Sequence, residues 1–128
     1  MKKIDLAYIV DDNEFVLTIS EKMITNHAAF ENIASFTNGL LALNAIQQAI
    51  ENKSQLPSVI FLDINMPVMN GWEFLNAINN ITAAQDIAIY LFTDSREPED
   101  ISKAKTYIQV KGFISKKLPK HELDIIAG

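Results

Sequence analysis

Val59-Ile60-Phe61-Leu62-Asp63 decides the fold, together with the segment that follows it, Ile64-Asn65-Met66-Pro67-Val68-Met69-Asn70-Gly71. Four consecutive apolar residues, two of them β-branched, read as a strand buried on both faces. Pro67 and Gly71 punctuate the loop beyond it. A core strand has no structural use for a carboxylate at its mouth, so Asp63 is the first candidate functional residue. The same arrangement occurs earlier, where Leu6-Ala7-Tyr8-Ile9-Val10 runs into Asp11-Asp12. Three carboxylates at the ends of two core strands point to a cation site.

Strand and helix signals alternate along the rest of the chain. Ile4 to Val10 reads as the first strand. A helix follows from Asn13 to about His27, with Phe15, Ile19 and Met23 four apart and Val16 and Ile24 beside them. Ile33 to Phe36 is a short strand, and Asn38-Gly39 introduces a helix carrying Leu43, Ile46 and Ile50. After the Val59 strand, Gly71 to about Asn80 is a helix with Phe74, Leu75 and Ile78 facing inward. Ile87 to Phe92 is an apolar strand. Pro98 suits the first position of the next helix, whose first turn carries Glu99 and Asp100 and whose thin apolar stripe is Ile101, Ala104 and Ile108. Gly112 to Ser115 is the last strand, and a short helix from Pro119 closes the pattern. Five strands alternating with five helices imply right-handed crossovers and a doubly wound parallel sheet covered on both faces, a single α/β domain over 1–128. In such sheets ligands bind beyond the carboxyl ends of the strands. Polar candidates stand at four of those ends: Asp11-Asp12, Asp63, Thr93 and Lys116.

Composition narrows the function. Of the 128 residues 48% are hydrophobic and 21% charged, enough to bury a core. Sixteen acids against eleven bases give a net charge of −5, which disfavours nucleic acid as a partner. The absence of cysteine removes disulfides, thiol catalysis and thiolate metal sites. Two separate histidines, His27 and His121, do not make a histidine metal site. Met1-Lys2-Lys3 imitates the start of a signal peptide, but Asp5 and Asp11-Asp12 cut the apolar stretch short. No segment reaches the roughly 18 apolar residues of a membrane span, so a cytoplasmic domain is expected.

Oxygen ligands without histidine or cysteine favour magnesium, which retains several waters and pairs with phosphate. A lysine and a hydroxyl on the same rim suit a transferring phosphoryl group, because the amine offsets developing charge and the hydroxyl donates a hydrogen bond. Asp63 is then either a metal ligand alone or also a nucleophile that forms an aspartyl phosphate.

Val10-Asp11-Asp12-Asn13, the run Leu62 to Gly71, Phe92-Thr93 and Gly112-Phe113-Ile114-Ser115-Lys116 together resemble the response-regulator receiver domain over essentially the whole chain. The pattern Asp-x-x-Met-Pro-x-Met-Asn-Gly is its most specific part. The resemblance implies a flavodoxin-like fold with strand order 2-1-3-4-5. It implies a signalling switch in a two-component phosphorelay, not an enzyme in its own right, although it assists its own phosphorylation and dephosphorylation. Asp63 would accept a phosphoryl group from a histidine kinase or phosphotransfer protein. Asp12, Asp63 and the backbone carbonyl of Asn65 would hold Mg2+, with Asp11 acting through water. Thr93 and Lys116 would grip the phosphoryl oxygens, and Phe113 would turn inward when Thr93 engages them. The surface of the fourth helix, fifth strand and fifth helix would change, and Asn65 and Ser95 would tune attack by water on the acyl phosphate. With no segment left for an output domain, the expected output is protein binding or onward relay.

Two residues depart from the family pattern. Lys117 stands where proline usually follows the lysine; a cis non-proline bond costs roughly 2.5–4 kcal/mol, so a trans bond is expected. Asp94 stands where a small residue usually follows Thr93, and Lys117 or Arg96 is its expected partner. The bland readings make Asp11-Asp12 caps of the first helix, Phe113 a core residue, His27 and His121 surface residues and Trp72 partly buried packing. Two rival functions remain. One is a receiver fold that binds without being phosphorylated. The other is a phosphatase of the haloacid dehalogenase type, which Asp63-Ile64-Asn65 disfavours because Asn65 is no acid/base.

Overall fold

A computed structural model describes residues 3–128; Met1 and Lys2 lie outside the described residues. Five parallel strands are ordered β2-β1-β3-β4-β5: β1 Ile4–Val10, β2 Phe30–Phe36, β3 Val59–Leu62, β4 Ala88–Phe92 and β5 Val110–Ile114. Between and after them run α1 Glu14–Thr25, α2 Gly39–Glu51, α3 Gly71–Ile78, α4 Pro98–Ala104 and α5 Lys120–Ala127, with a 3-10 turn at Thr82–Ala84. This is the flavodoxin-like arrangement expected from the sequence.

Two-residue alternation along each strand divides the core into two layers. Tyr8, Val10, Ile60, Leu62, Ile89 and Leu91 pack with Ala42, Ile46, Phe74 and Leu75 from α2 and α3. Ala7, Ile9, Val59, Phe61 and Phe92 pack on the other face with Leu17 and Ile24 of α1 and Leu123 of α5. Truncating Phe61, which is fully buried, to alanine would cost about 3–5 kcal/mol.

The helix starts follow local chemistry. Asn13, rather than Asp11 or Asp12, caps α1 by accepting from the backbone N–H groups of Phe15 and Val16. Asn38 caps α2, and Asn70 with Glu73 forms a reciprocal capping box at α3. Pro98 occupies the first turn of α4 as expected.

Several expected details are corrected. Phe15, Ile19 and Met23 do not face the core; they are 73%, 42% and 37% exposed, while Leu17, Ser20 and Ile24 are buried. Both sets fit a helical period, and packing of α1 against the sheet selects the one that puts Leu17 and Ile24 into the core. β2 begins at Phe30 rather than Ile33, because pairing with β1 extends from Ile4↔Phe30 to Val10↔Phe36. β5 spans Val110–Ile114, leaving Ser115 outside it. α4 ends at Ala104, so Ile108 lies beyond it and is exposed. His27 is buried rather than on the surface, whereas His121 is exposed as expected.

Candidate functional site

The hydrogen-bond ladder of the sheet continues one residue past the strand ends and fixes the candidate side chains there. The N–H of Asp11 donates to Phe36 O (3.0 Å), that of Asp63 to Val10 O (2.9 Å) and that of Thr93 to Ile114 O (3.0 Å). The loop after Asp63 folds back so that Gly71 N–H donates to Ile64 O at 2.8 Å. A Cβ at Gly71 would lie 2.6 Å from the Asp63 carbonyl oxygen, so this close approach requires glycine. Val68, at the exposed tip of the same loop, has φ 69°, an unfavourable backbone for a β-branched residue.

Asp11, Asp12 and Asp63 come together: one carboxylate oxygen from each lies within 4.8 Å of the others. Asp11 and Asp63 are buried and Asp12 is exposed, so the cluster opens to solvent on one side. Lys116 reaches across from the β5–α5 loop. Its Nζ donates to Asp11 Oδ2 at 2.8 Å and lies 3.4 Å from Asp63 Oδ1. Asp63 Oδ1 also accepts from the N–H of Ile64 (2.9 Å).

One ammonium does not neutralise three carboxylates. Burial, then the negative charge of Asp11, pushes the Asp63 carboxyl up to about 6, although Lys116 and the Ile64 N–H pull it down. Burial alone would lower Lys116, but its hydrogen bond to Asp11 and the charges of Asp63 and Asp11 outweigh that and raise it. A concave group of oxygen donors with excess negative charge fits a hard divalent cation and the anion that would accompany it.

The remaining candidates surround this cluster. Thr93 is half-buried at the end of β4, and its Oγ1 accepts from the N–H of Ser95 (3.0 Å). Asn65 and Ser95 are exposed, each two residues beyond a strand-end residue. Phe113 is half-buried in β5. The expected partner of Asp94 is corrected: its Oδ1 accepts from Ser115 Oγ (2.6 Å) and from the N–H of Lys116 (3.1 Å), not from Arg96, and Lys117 acts on it through charge alone. Arg96 instead donates from Nη1 to the carbonyls of Thr93 (2.7 Å) and Ser95 (2.9 Å) and overlies the Phe113 ring at 4.9 Å. Sequence spacing does not reveal that clamp, because arginine three residues after Thr93 is equally compatible with a solvated loop. Trp72 is half-buried as expected, stacked on Tyr107 at 6.0 Å with Lys103 above it.

The family model of the response regulator receiver domain matches residues 7–127. The chain belongs to that family. This receiver domain is 32% identical over 124 residues to a protein-glutamate methylesterase/protein-glutamine glutaminase from Clostridium acetobutylicum, covering 96% of the chain and 33% of the relative. It thus spans about a third of that relative's length. A two-component response regulator from Cytophaga hutchinsonii superposes with a TM-score of 0.88 at 29% identity, covering 98% of this receiver and 95% of the other chain. The Vibrio cholerae chemotaxis protein CheY4 shares the fold, with a TM-score of 0.79 at 22% identity over 96% of this chain and 95% of that one. A receiver domain is a non-catalytic signalling module of two-component systems, and membership implies a histidine kinase or phosphotransfer protein as its general class of partner. Among the described residues, no helix is long and apolar enough to cross a membrane.

Proposed function

We propose that residues 1–128 form one receiver domain that works as a cytoplasmic phosphorylation switch, with Asp63 as phosphoacceptor. One observation carries the reading: a buried carboxylate at the mouth of β3 is flanked by two further carboxylates within 4.8 Å and by a lysine ammonium at 3.4 Å. An Asp63 oxygen attacks the phosphorus of a phosphohistidine on a histidine kinase or phosphotransfer protein. The P–N bond breaks with its electron pair returning to the ring nitrogen, an O–P bond forms, and the imidazole leaves neutral, keeping the proton already on its other ring nitrogen. Lys116 offsets charge on the transferring group and Thr93 donates a hydrogen bond to it. Asp12, Asp63 and the Asn65 carbonyl would hold Mg2+, the ion an all-oxygen cluster of this charge favours, with Asp11 acting through water. Bound there, Mg2+ supplies positive charge to the carboxylates and the phosphoryl oxygens.

The readout is a change in the surface of α4, β5 and α5. Thr93 gives up its bond to the Ser95 N–H to meet the phosphoryl group, and Phe113 moves inward from beneath Arg96. Asn65 and Ser95, exposed beside the rim, govern how water approaches the acyl phosphate.

The test is intact mass after incubation with Mg2+ and acetyl phosphate. One phosphoryl adduct is expected, absent in Asp63→Asn and without Mg2+. No adduct from acetyl phosphate or from a phosphorylated histidine kinase would make the domain a binding module instead.

A further inference from the structure

β5 stops at Ile114 and α5 starts at Lys120, so the residue whose ammonium meets Asp63 sits on irregular chain. Leu118 in that stretch has φ 47°. Lysine has a long, flexible stem, and its reach is reproducible only if its backbone is held. No sheet partner holds it here. The N–H of Lys116 donates to Asp94 Oδ1 at 3.1 Å, and the N–H of Lys117 donates to Ser115 Oγ at 3.1 Å. The Ser115 hydroxyl passes its own proton toward Asp94 Oδ1 at 2.6 Å, and the N–H of Leu118 donates to Ser115 O at 2.9 Å. Every backbone donor from 116 to 118 is therefore satisfied within the Asp94–Ser115 pair.

We propose that Asp94 and Ser115 are positioning residues, a bridge from the β4–α4 loop that fixes the backbone of Lys116 so that its ammonium meets Asp11 and Asp63. The two departures of this chain from the receiver pattern then explain one another. Lys117 has an N–H where proline would have none, and the serine–aspartate pair supplies the acceptors that this extra donor and its neighbour need. The Ser115 hydroxyl, and after it the Lys116 N–H, hold the Asp94 carboxyl below the usual carboxylate range against the opposing effect of burial, as bonds to the ionised form should. Asp94 is exposed, so at physiological ionic strength its charge reaches little beyond these bonds.

The inference rests on the phosphoacceptor reading for its kinetic consequence, and the test separates the two. Initial rates of Asp63 phosphorylation by acetyl phosphate with Mg2+ are compared for wild type, Asp94→Asn, Asp94→Ala, Ser115→Ala and the double alanine variant. Asparagine keeps the Oδ1 acceptor and loses the charge. Asp94→Asn is expected within about threefold of wild type, whereas each alanine variant loses about tenfold and the double variant loses no more than either. If Asn and Ala act alike, or both accelerate the reaction, charge rather than the bridge is at work and the proposal is overturned. In parallel, amide exchange at Lys116 and Lys117 and the 15N resonance of the Lys116 ammonium are followed without any phosphodonor. Asp94→Ala should lose protection at both amides and shift the ammonium signal, while Asp94→Asn keeps both. Unchanged protection in Asp94→Ala sinks the bridge. Should wild type take up no phosphoryl group, the phosphoacceptor reading fails and these resonances alone decide the positioning role.

Discussion

Two acid–base groupings are set into this domain, one at each end of the sheet, and they differ in how completely they are satisfied. In the turn before β2, His27 uses both ring nitrogens: Nδ1 accepts from the N–H of Ala29 (3.2 Å), which leaves the proton on Nε2 to donate to Asp124 Oδ1 at 2.7 Å on α5. Phe30 closes the imidazole edge-on. At the carboxyl ends of the strands, Asp11 and Asp63 share Lys116 as their paired ammonium, with the Asp12 carboxylate beside them. The consequences run in opposite directions for the same residue type. The hydrogen bond from His27, then that from Lys120, holds Asp124 below the usual carboxylate range, whereas burial and Asp11 raise Asp63 to about 6. A polar group with every bond made is structure, and one left short of compensation is where a ligand has something to add.

Removing the shared cation strains that difference most. Lys116→Met leaves the wholly buried Asp11 facing Asp63 unpaired and should destabilise the protein by about 3 kcal/mol at pH 7 in urea unfolding. Added Mg2+ should restore part of the loss. A cost below about 1 kcal/mol would mean that Lys116 does not hold the rim together. His27→Ala is the matching cut at the other end. It removes two hydrogen bonds and a buried ring and should cost about 2–3 kcal/mol. That loss should be the same with and without Mg2+; any rescue by the ion would break the distinction between the two groupings.

Asp63→Asn should do the reverse and stabilise. The folded-state pKa of Asp63 lies above its unfolded value, so between about pH 4 and pH 6 the folded protein binds the extra proton and stability falls as pH rises. Above about pH 6 the penalty is fully present. Discounted for solvent screening at the open rim, Asp63→Asn gains about 1–2 kcal/mol at pH 7.5, and the gain disappears near pH 4. Thermal melts across that range check it, and a gain independent of pH would assign the effect to packing. The smallest change concerns the loop that carries the site. Val68→Gly relieves the φ of 69° at a side chain that is 72% exposed and should stabilise by about 0.5–1 kcal/mol, read by the same melts. A loss would show that Val68 is held by contacts rather than strained.

The strand ends could be read in advance because they are defined locally. An apolar run that stops at a carboxylate names its own terminus, as at Val10-Asp11 and Leu62-Asp63, and the Met66-Pro67 loop with Gly71 names the turn. The layered core was legible for α3, whose Phe74, Leu75 and Ile78 are all buried. On α1 it was not, because two apolar sets fit one period and the chain carries no local mark of which set meets the sheet. The partner of Asp94 was missed for a related reason: Ser115 is 21 residues away, and nothing in either neighbourhood distinguishes a paired residue from a solvated one.

The sequence by itself determined the alternation of five strands and five helices, the order of Asp11, Asp12, Asp63, Thr93 and Lys116 along it, and their places at strand ends. Those features depend on hydrophobic period and turn chemistry within about ten residues, where steric and hydrogen-bonding preferences act directly. Tertiary structure alone decided that Lys116 bridges Asp11 and Asp63, that Ser115 and Asp94 hold its backbone, that His27 is buried against Asp124, and that Phe15, Ile19 and Met23 face solvent. Each of those joins residues distant in the chain or chooses between equally periodic faces, and such choices are made by the packing of whole elements against one sheet.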